Sequence, residues 1–136
     1  MYKRQDIFDV QLESQATSAI AADGNYILNR FSYDVNRANS ITTPAVLGVA
    51  SSSLVLVING STYTYSLSNG NLILQNNTAG TIDRLNSIGT TVSDLSFIRL
   101  DGGGKDTVQI SYTLTSEITR RGGKEVNEYK TSAGLR

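Results

Sequence analysis

The sequence predicts an α+β fold in which one long N-terminal amphipathic helix packs on an antiparallel β-sheet. Apolar residues recur with a helical period only before Pro44, whereas the chain after Pro44 consists of short alternating runs separated by turn residues. At 136 residues, the chain has the length of one domain with a single core. We therefore expect a single domain, 1–136, with a helical region, 1–42, followed by a β region, 43–136.

The helix is predicted over most of Gln5–Ser40 because one apolar stripe runs along it at steps of three, four or seven residues. Gly24 occupies the missing position on that stripe, where it weakens the helix or permits close approach of another backbone. Arg30 and Asp34, four residues apart, are expected to pair on the solvent face. The residues of the stripe are Phe8, Leu12, Ala16, Ile20, Ile27, Phe31, Val35 and Ala38.

The predicted helix is longer than the body on which it packs. A continuous helix of this length extends on the order of 50 Å, whereas the rest of the chain forms a globule only about 30 Å across. We therefore expect the Ile20–Ala38 part to be covered by the sheet and the first dozen residues to project beyond it.

The β region is predicted to begin with a three-stranded meander. Asn59-Gly60 separates "LVLVI" from "STYTYSL", and this dipeptide between apolar runs is the strongest short hairpin signal. The turn "SNGN" then leads into "LILQ".

A second hairpin is predicted further along, from Leu95–Leu100 and Thr107–Thr115 around the loop "DGGGKD". The segment between the meander and this hairpin is expected to be a loop, 76–94, in which Ile82, Leu85 and Ile88 pack against the core as plugs. The polar tail, 116–136, is expected to supply one or two edge strands.

Composition excludes several classes of function. The 12 basic and 12 acidic residues cancel, so no net charge recruits nucleic acid or an anionic membrane surface. The chain has no Cys and no His, which removes thiolate chemistry, the commonest general base and the commonest metal ligand. The sequence therefore predicts a protein that is not an enzyme and has no catalytic, cofactor-binding or metal-binding residues.

Three patterns suggest chemistry, and each has a plainer interpretation. "DGGGKD" lacks the first Gly and the Ser or Thr of a nucleotide-binding loop. Its Asp101 and Asp106 suggest a calcium site only weakly, because no third carboxylate lies nearby in the sequence. Tyr63 and Tyr65 suit a stacking platform for a ligand, but alternating tyrosines on a strand more often face a core. Glu125 and Glu128 have the chemistry of an acid–base pair but lie in a charged surface tail.

The order of elements resembles the periplasmic part of type IV pilin-like proteins, most closely minor pseudopilins of the J group and related minor pilins. "YILNRFSYDVNRANSI" is similar to the end of that family's helix, and "SSSLVLVINGSTYTYSLSNGNLILQ" to its first sheet. "IGTTVSDLSFIRL" followed by "TVQISYTLTS" is similar to its second pair of strands. The resemblance covers nearly the whole chain and implies a pilin-like fold.

The family's basic leader, cleavage Gly and apolar segment are not in this sequence. "MYKRQ" begins about where the membrane segment of the family ends. We therefore expect the chain to continue a longer protein that is anchored in the inner membrane before assembly and is extracytoplasmic, in a filament at the cell surface or in the periplasm.

The resemblance implies a non-catalytic subunit of a type IV pilus or a type II secretion pseudopilus, acting in assembly initiation or in a tip complex. Other pilin or pseudopilin subunits are its expected partners, through the N-terminal helix, and the membrane is a partner only through a segment outside this chain. The candidate interface residues are Ile7, Phe8, Val10 and Leu12, whose plainer interpretation is ordinary exposed apolar residues.

Two questions stay open at this point. The sequence does not distinguish pilus formation, secretion and DNA uptake. The rival class is an extracellular β-rich module that binds carbohydrate or a surface through Tyr63, Tyr65 or the "DGGGKD" loop.

Overall fold

The structure is a computed structural model that describes the backbone of residues 2–101, 105–120 and 123–135, and the side chains of 17–101, 105–119 and 123–135. Within these limits the chain forms one helix and nine strands. They are α1 (Tyr2–Arg37), β1 (Ser40–Thr43), β2 (Ala50–Ser51), β3 (Leu54–Ile58), β4 (Ser61–Ser68), β5 (Asn71–Asn76), β6 (Thr81–Arg84), β7 (Thr90–Leu100), β8 (Thr107–Arg120) and β9 (Gly123–Gly134).

The predicted fold class, α+β with a long helix packed on antiparallel sheet in a pilin-like arrangement, is wrong. Over the residues with described side chains, 58% are strand, and the helix from Thr17 to Arg37 makes up 19%. The strands form two antiparallel sheets, in the orders β1-β3-β4-β5-β6 and β2-β7-β8-β9. The prediction understated the strand content, because it missed three strands.

The missed strands have weak sequence signals. β1 and β2 are four and two residues long, too short for alternation to show. β6 lies in the segment expected to be a loop, and all four of its residues are exposed. Of the expected plugs in that segment, Leu85 is buried, but Ile82 and Ile88 are 61% and 85% exposed. Those two assignments are wrong because apolar character alone does not bury a residue at a sheet edge or in a loop.

Both predicted hairpins are present. β3 pairs with β4 around Asn59-Gly60, where both residues have positive φ, as the tight turn requires. β4 pairs with β5, and β7 pairs with β8. Of the predicted tail, residues 116–120 continue β8, and Gly123–Gly134 form β9 at the edge of the second sheet.

The core lies between α1 and the inner faces of the two sheets. The predicted stripe from Ile20 to Ala38 is buried in it, and the alternating run of β8 from Val108 to Leu114 is buried opposite. Phe31 joins the two sheets, because its ring is 6.4 Å from that of Tyr65 in β4 and 6.3 Å from that of Phe97 in β7. One helix therefore holds two sheets in a single core.

Charge is unevenly distributed between the sheets. No charged residue occurs between Arg37 and Asp83, so β1 to β5 carry none. The second sheet carries most of the charged residues of the β region, including the Arg99–Asp106 pair of the second hairpin.

Candidate subunit-contact site

Two buried carboxylates fix α1 to the first sheet and to the loop before β7. Asp23 accepts hydrogen bonds from the Ser87 amide, the Ser87 hydroxyl and the Thr90 hydroxyl. Asp34, whose side chain is fully buried, accepts from the Tyr65 hydroxyl. Because each carboxylate has several donors, burial of its charge is compensated.

Asp34 also binds two arginines of its own helix. Arg30 Nε lies 3.1 Å from Asp34 Oδ2, and Arg37 Nη2 lies 2.9 Å from Asp34 Oδ1. The expected Arg30–Asp34 pair is therefore present, but its expected place on the solvent face is wrong for Asp34. The sequence could not show this, because burial of the Asp34 carboxylate is favourable only when the Tyr65 hydroxyl, from β4, donates a hydrogen bond to it.

Two tyrosines attach the middle of the helix to the second sheet. Tyr112 of β8 donates to the Gly24 carbonyl at 3.0 Å, and Tyr129 of β9 donates to the Ile20 carbonyl at 3.3 Å. Their rings stack at 5.5 Å with an interplanar angle of 14°. A Cβ at Gly24 would overlap the Tyr129 ring, so the expected close approach at Gly24 is to a side chain of the sheet.

These contacts shift the ionisation of the tyrosines. Burial raises the pKa of Tyr65 well above its ordinary value, and the neighbouring Asp34 carboxylate adds to this effect. Burial also raises the pKa of Tyr112 and of Tyr129. All three hydroxyls therefore stay protonated, as donors, across the physiological range.

The outward face of the helix has no charged residue at an exposed position between Thr17 and Asn36, the part whose side chains are described. The exposed residues are Thr17, Ser18, Ala21, Ala22, Asn25, Tyr26, Asn29, Tyr33 and Asn36. Tyr26 and Tyr33 are 50% and 57% exposed. A surface with two half-exposed tyrosines and two partly exposed arginines, Arg30 and Arg37, has the composition of a protein–protein interface. The sequence analysis did not identify this face, although uncharged polar residues at helical spacing indicate it.

The predicted interface candidates Ile7, Phe8, Val10 and Leu12 lie outside the residues whose side chains the structure describes. They belong to the first half of α1 in sequence. Their role stays a prediction.

The residues proposed for a ligand platform do not form one. Tyr65 is fully buried, and Tyr63 is half-buried against the core. In the "DGGGKD" loop, Gly102–Gly104 lie outside the described residues, and Asp106 forms an ion pair with Arg99. Arg99 also anchors β1 and the residue that follows it, because it donates to the carbonyls of Ile41 and Pro44.

Other polar features are structural or isolated. Glu125 accepts from Thr17 at 2.8 Å, so it ties β9 to the helix. A groove of about 560 Å³ on β7, β8 and β9 is lined in part by Asp94, Glu128 and Lys130. Over the described residues, no three side chains of the types that ligate metals cluster together, and no helix there is long and apolar enough to cross a membrane.

Comparisons of this chain with models of protein families, with curated proteins and with solved structures find no match. The functional argument therefore depends on the helix, its attachment to the sheets and its outward face.

Proposed function

We propose that this chain is a non-catalytic structural subunit of a type IV filament system, of the minor pilin or minor pseudopilin kind. The observation that carries the proposal is an outward helix face whose exposed positions are all uncharged, on a helix that is fixed to both sheets from its inner side. A subunit of a filament needs a rigid β body mounted on a helix whose free face packs against neighbours. The resemblance of the sequence to the minor pseudopilin J group supports the same role.

Packing of the first half of α1 against other subunits is part of this proposal. Ile7, Phe8, Val10 and Leu12 supply its apolar surface.

The test is a pair of substitutions, Phe8→Asp and Leu12→Asp, each made in the full-length gene. A charge buried without a partner in a helix–helix contact is strongly unfavourable, so we expect filament assembly or export to fail. The fold of the β body should survive, which circular dichroism and thermal unfolding of the same variants would show.

The matched control is Ile88→Asp, which places the same charge at a position that is already 85% exposed. Assembly should proceed with this variant. Normal assembly with both helix variants would overturn the assignment of the interface, and normal assembly in a strain that lacks the protein would remove support for the filament role.

A further inference from the structure

The longest strand at a sheet edge in the described part of the chain is β9. It has 12 residues and ends the strand order of the second sheet. The other edge strands there are β1, β2 and β6, which have only four, two and four residues. A short edge offers few free backbone groups, so β9 is the edge on which a further strand can pair.

The free backbone groups of β9 belong to its even-numbered residues. The Leu135 amide donates to the Asp106 carbonyl at 3.0 Å, next to the paired residues Thr107 and Gly134. In an antiparallel ladder, residues whose N–H and C=O point to the partner strand alternate with residues whose groups point away from it. Counting back from Leu135, the residues that point away from β8 include 124, 126, 128, 130 and 132.

The side chains of these same residues are exposed. They are Lys124, Val126, Glu128, Lys130 and Ser132. Lys124 lies 3.6 Å from the Glu117 carboxylate, whereas neither Glu128 nor Lys130 has an ion pair among the described residues. The middle of the edge therefore carries one unpaired negative and one unpaired positive charge, two residues apart.

These two charges are complementary to a second copy of the same strand. In an antiparallel pair with Tyr129 on the two-fold axis, Glu128 of each copy stands opposite Lys130 of the other. Opposite charges across two strands stabilise a sheet, and like charges directly opposite each other destabilise it. Sliding one strand to the next register on either side brings Glu128 opposite Glu128 or Lys130 opposite Lys130. Charge therefore favours the register centred on Tyr129 over its neighbours.

One other register matches charges, with Val126 on the axis and Lys124 opposite Glu128. It pairs only residues 123–129, because the turn between β8 and β9 follows, whereas the register centred on Tyr129 pairs residues 124–134. It also leaves Lys130 without a partner and competes for Lys124, which Glu117 already holds. The register centred on Tyr129 is the longer and better matched of the two.

The helix leaves room for this pairing. Tyr112 and Tyr129 donate to the carbonyls of Gly24 and Ile20, so α1 lies over β8 and β9 beside the axis. Because neighbouring strands are about 4.8 Å apart, two helices that each lie over β8 and β9 of their own copy are separated there by about 10 Å. That is the usual distance between packed helices, so both copies of α1 fit on one side of the joined sheet.

We propose that the edge of β9 is a dimer contact, to which β9 of a second copy of this chain adds in antiparallel orientation with Tyr129 on the two-fold axis. The two four-stranded sheets then form one continuous sheet. The contact is isologous and closes after two copies. It reverses the direction of α1 between the copies, so it is not a contact between neighbours in a filament of parallel helices, and the inference goes beyond the proposed function.

The absence of cysteine from the chain allows the register to be tested by cross-linking. In the proposed register, Val126 stands opposite Ser132 of the other copy, with about 5.5 Å between Cα atoms, a distance that a disulfide spans. Chains carrying Val126→Cys are mixed with chains carrying Ser132→Cys and oxidised. We expect a disulfide-linked heterodimer in excess of either homodimer, and both positions are exposed, so the fold should be unchanged.

Val126→Cys alone is the control for the register. The register centred on Val126 places this residue opposite itself. The proposed register separates the two copies of Val126 by about 20 Å, which is six residues at about 3.4 Å each. A homodimer of Val126→Cys that exceeds the heterodimer would overturn the register centred on Tyr129.

Charge dependence is measured by sedimentation equilibrium of chains without cysteine. Lys130→Glu places like charges opposite each other on both sides of the axis, so we expect the association constant to fall at least about tenfold. Glu128→Lys combined with Lys130→Glu exchanges the two charges and should restore most of the association. Lys105→Glu, the same change at an exposed lysine outside β9, is the matched control and should have no effect. An exchange variant as weak as Lys130→Glu would contradict the proposed ion pairs.

Ser132→Pro tests whether the backbone of the edge makes the contact. Proline has no N–H, and at this position the lost donor points away from β8, where an edge strand tolerates proline. We expect a chain that still unfolds cooperatively in urea but no longer dimerises. Undiminished association of this variant would show that the contact is not strand pairing, and a parent chain that stays monomeric at every accessible concentration would overturn the dimer itself.

The dimer and the filament role fail separately. Filament assembly by a chain that does not dimerise would overturn the β9 contact and leave the filament role in place. Normal assembly in a strain lacking the protein would count against the filament role and leave the dimer untouched.

Discussion

Gly24 shows how one residue on the helix sets the distance between helix and sheet. Its missing side chain leaves room for the Tyr129 ring, which stacks on Tyr112, and both hydroxyls then reach helix carbonyls. Glycine in a helix interior costs about 1 kcal/mol relative to alanine. That cost is offset here by two hydrogen bonds and a ring stack that no larger residue permits.

We therefore predict that Gly24→Ala lowers the free energy of unfolding by about 1–3 kcal/mol, although alanine is the better helix former. Asn25→Ala is the matched control, because Asn25 is exposed and should gain a few tenths of a kcal/mol from helix propensity. Urea unfolding measures both. In a chain that already carries Tyr129→Ala, Gly24→Ala should lower the free energy of unfolding much less than it does in the parent chain. Purely additive effects of the two substitutions would contradict the steric explanation.

At the scale of the element, α1 is stable because two sheets cover its inner side. Helix propensity alone does not hold a helix with Gly24 and many β-branched or polar residues. Phe31 contributes most visibly, because it is fully buried and its ring contacts aromatic rings from both sheets. Its loss should loosen the sheets from each other as well as from the helix.

We predict that Phe31→Ala lowers the free energy of unfolding by about 3–5 kcal/mol, the usual cost of a large cavity. Tyr33→Ala, two residues later and 57% exposed, should change it by less than about 1 kcal/mol. Thermal and urea unfolding of the two variants side by side test the helix phase. Equal stability of Phe31→Ala and the parent chain would show that the ring is not in the core.

The sequence predicted this phase correctly but not the number of strands. Period and burial agree from Ile20 to Ala38, because the sheets cover that part of the helix. Strands of two to four residues at sheet edges carry too few side chains to show alternation, so β1, β2 and β6 were missed. For the candidate site, the exposed helix face with Tyr26 and Tyr33 was missed because the search favoured apolar residues. Burial of Asp34 was missed because it depends on Tyr65, which is far away in sequence.

At the scale of the whole molecule, the attachments between helix and sheets depend on protonated tyrosines. Burial raises the pKa of Tyr65, Tyr112 and Tyr129 above that of the unfolded chain, about 10. A raised pKa means that the stabilisation is fully present below pH 10 and is lost as the pH rises through the folded-state values. The free energy of unfolding should therefore fall in alkali, when these tyrosines lose their protons.

We predict that the urea midpoint of unfolding is constant from pH 7 to about pH 9.5 and falls above it. Tyr65→Phe should flatten part of this dependence, because phenylalanine has no proton to lose. Tyr33→Phe is the exposed control and should leave the pH profile unchanged. A Tyr65→Phe profile that superimposes on that of the parent chain would rule out Tyr65 as a source of the alkaline loss.

The spacing of the two buried carboxylates has a mechanical consequence. Asp23 and Asp34 are about 16 Å apart along α1, at about 1.5 Å per residue, and the tyrosine contacts to Ile20 and Gly24 lie at one end of that interval. A force along the helix axis would load these hydrogen bonds together, in shear, and could not break them one after another as peeling would. A β body held in this way resists removal from its helix under tension, which suits a part that transmits force along its length.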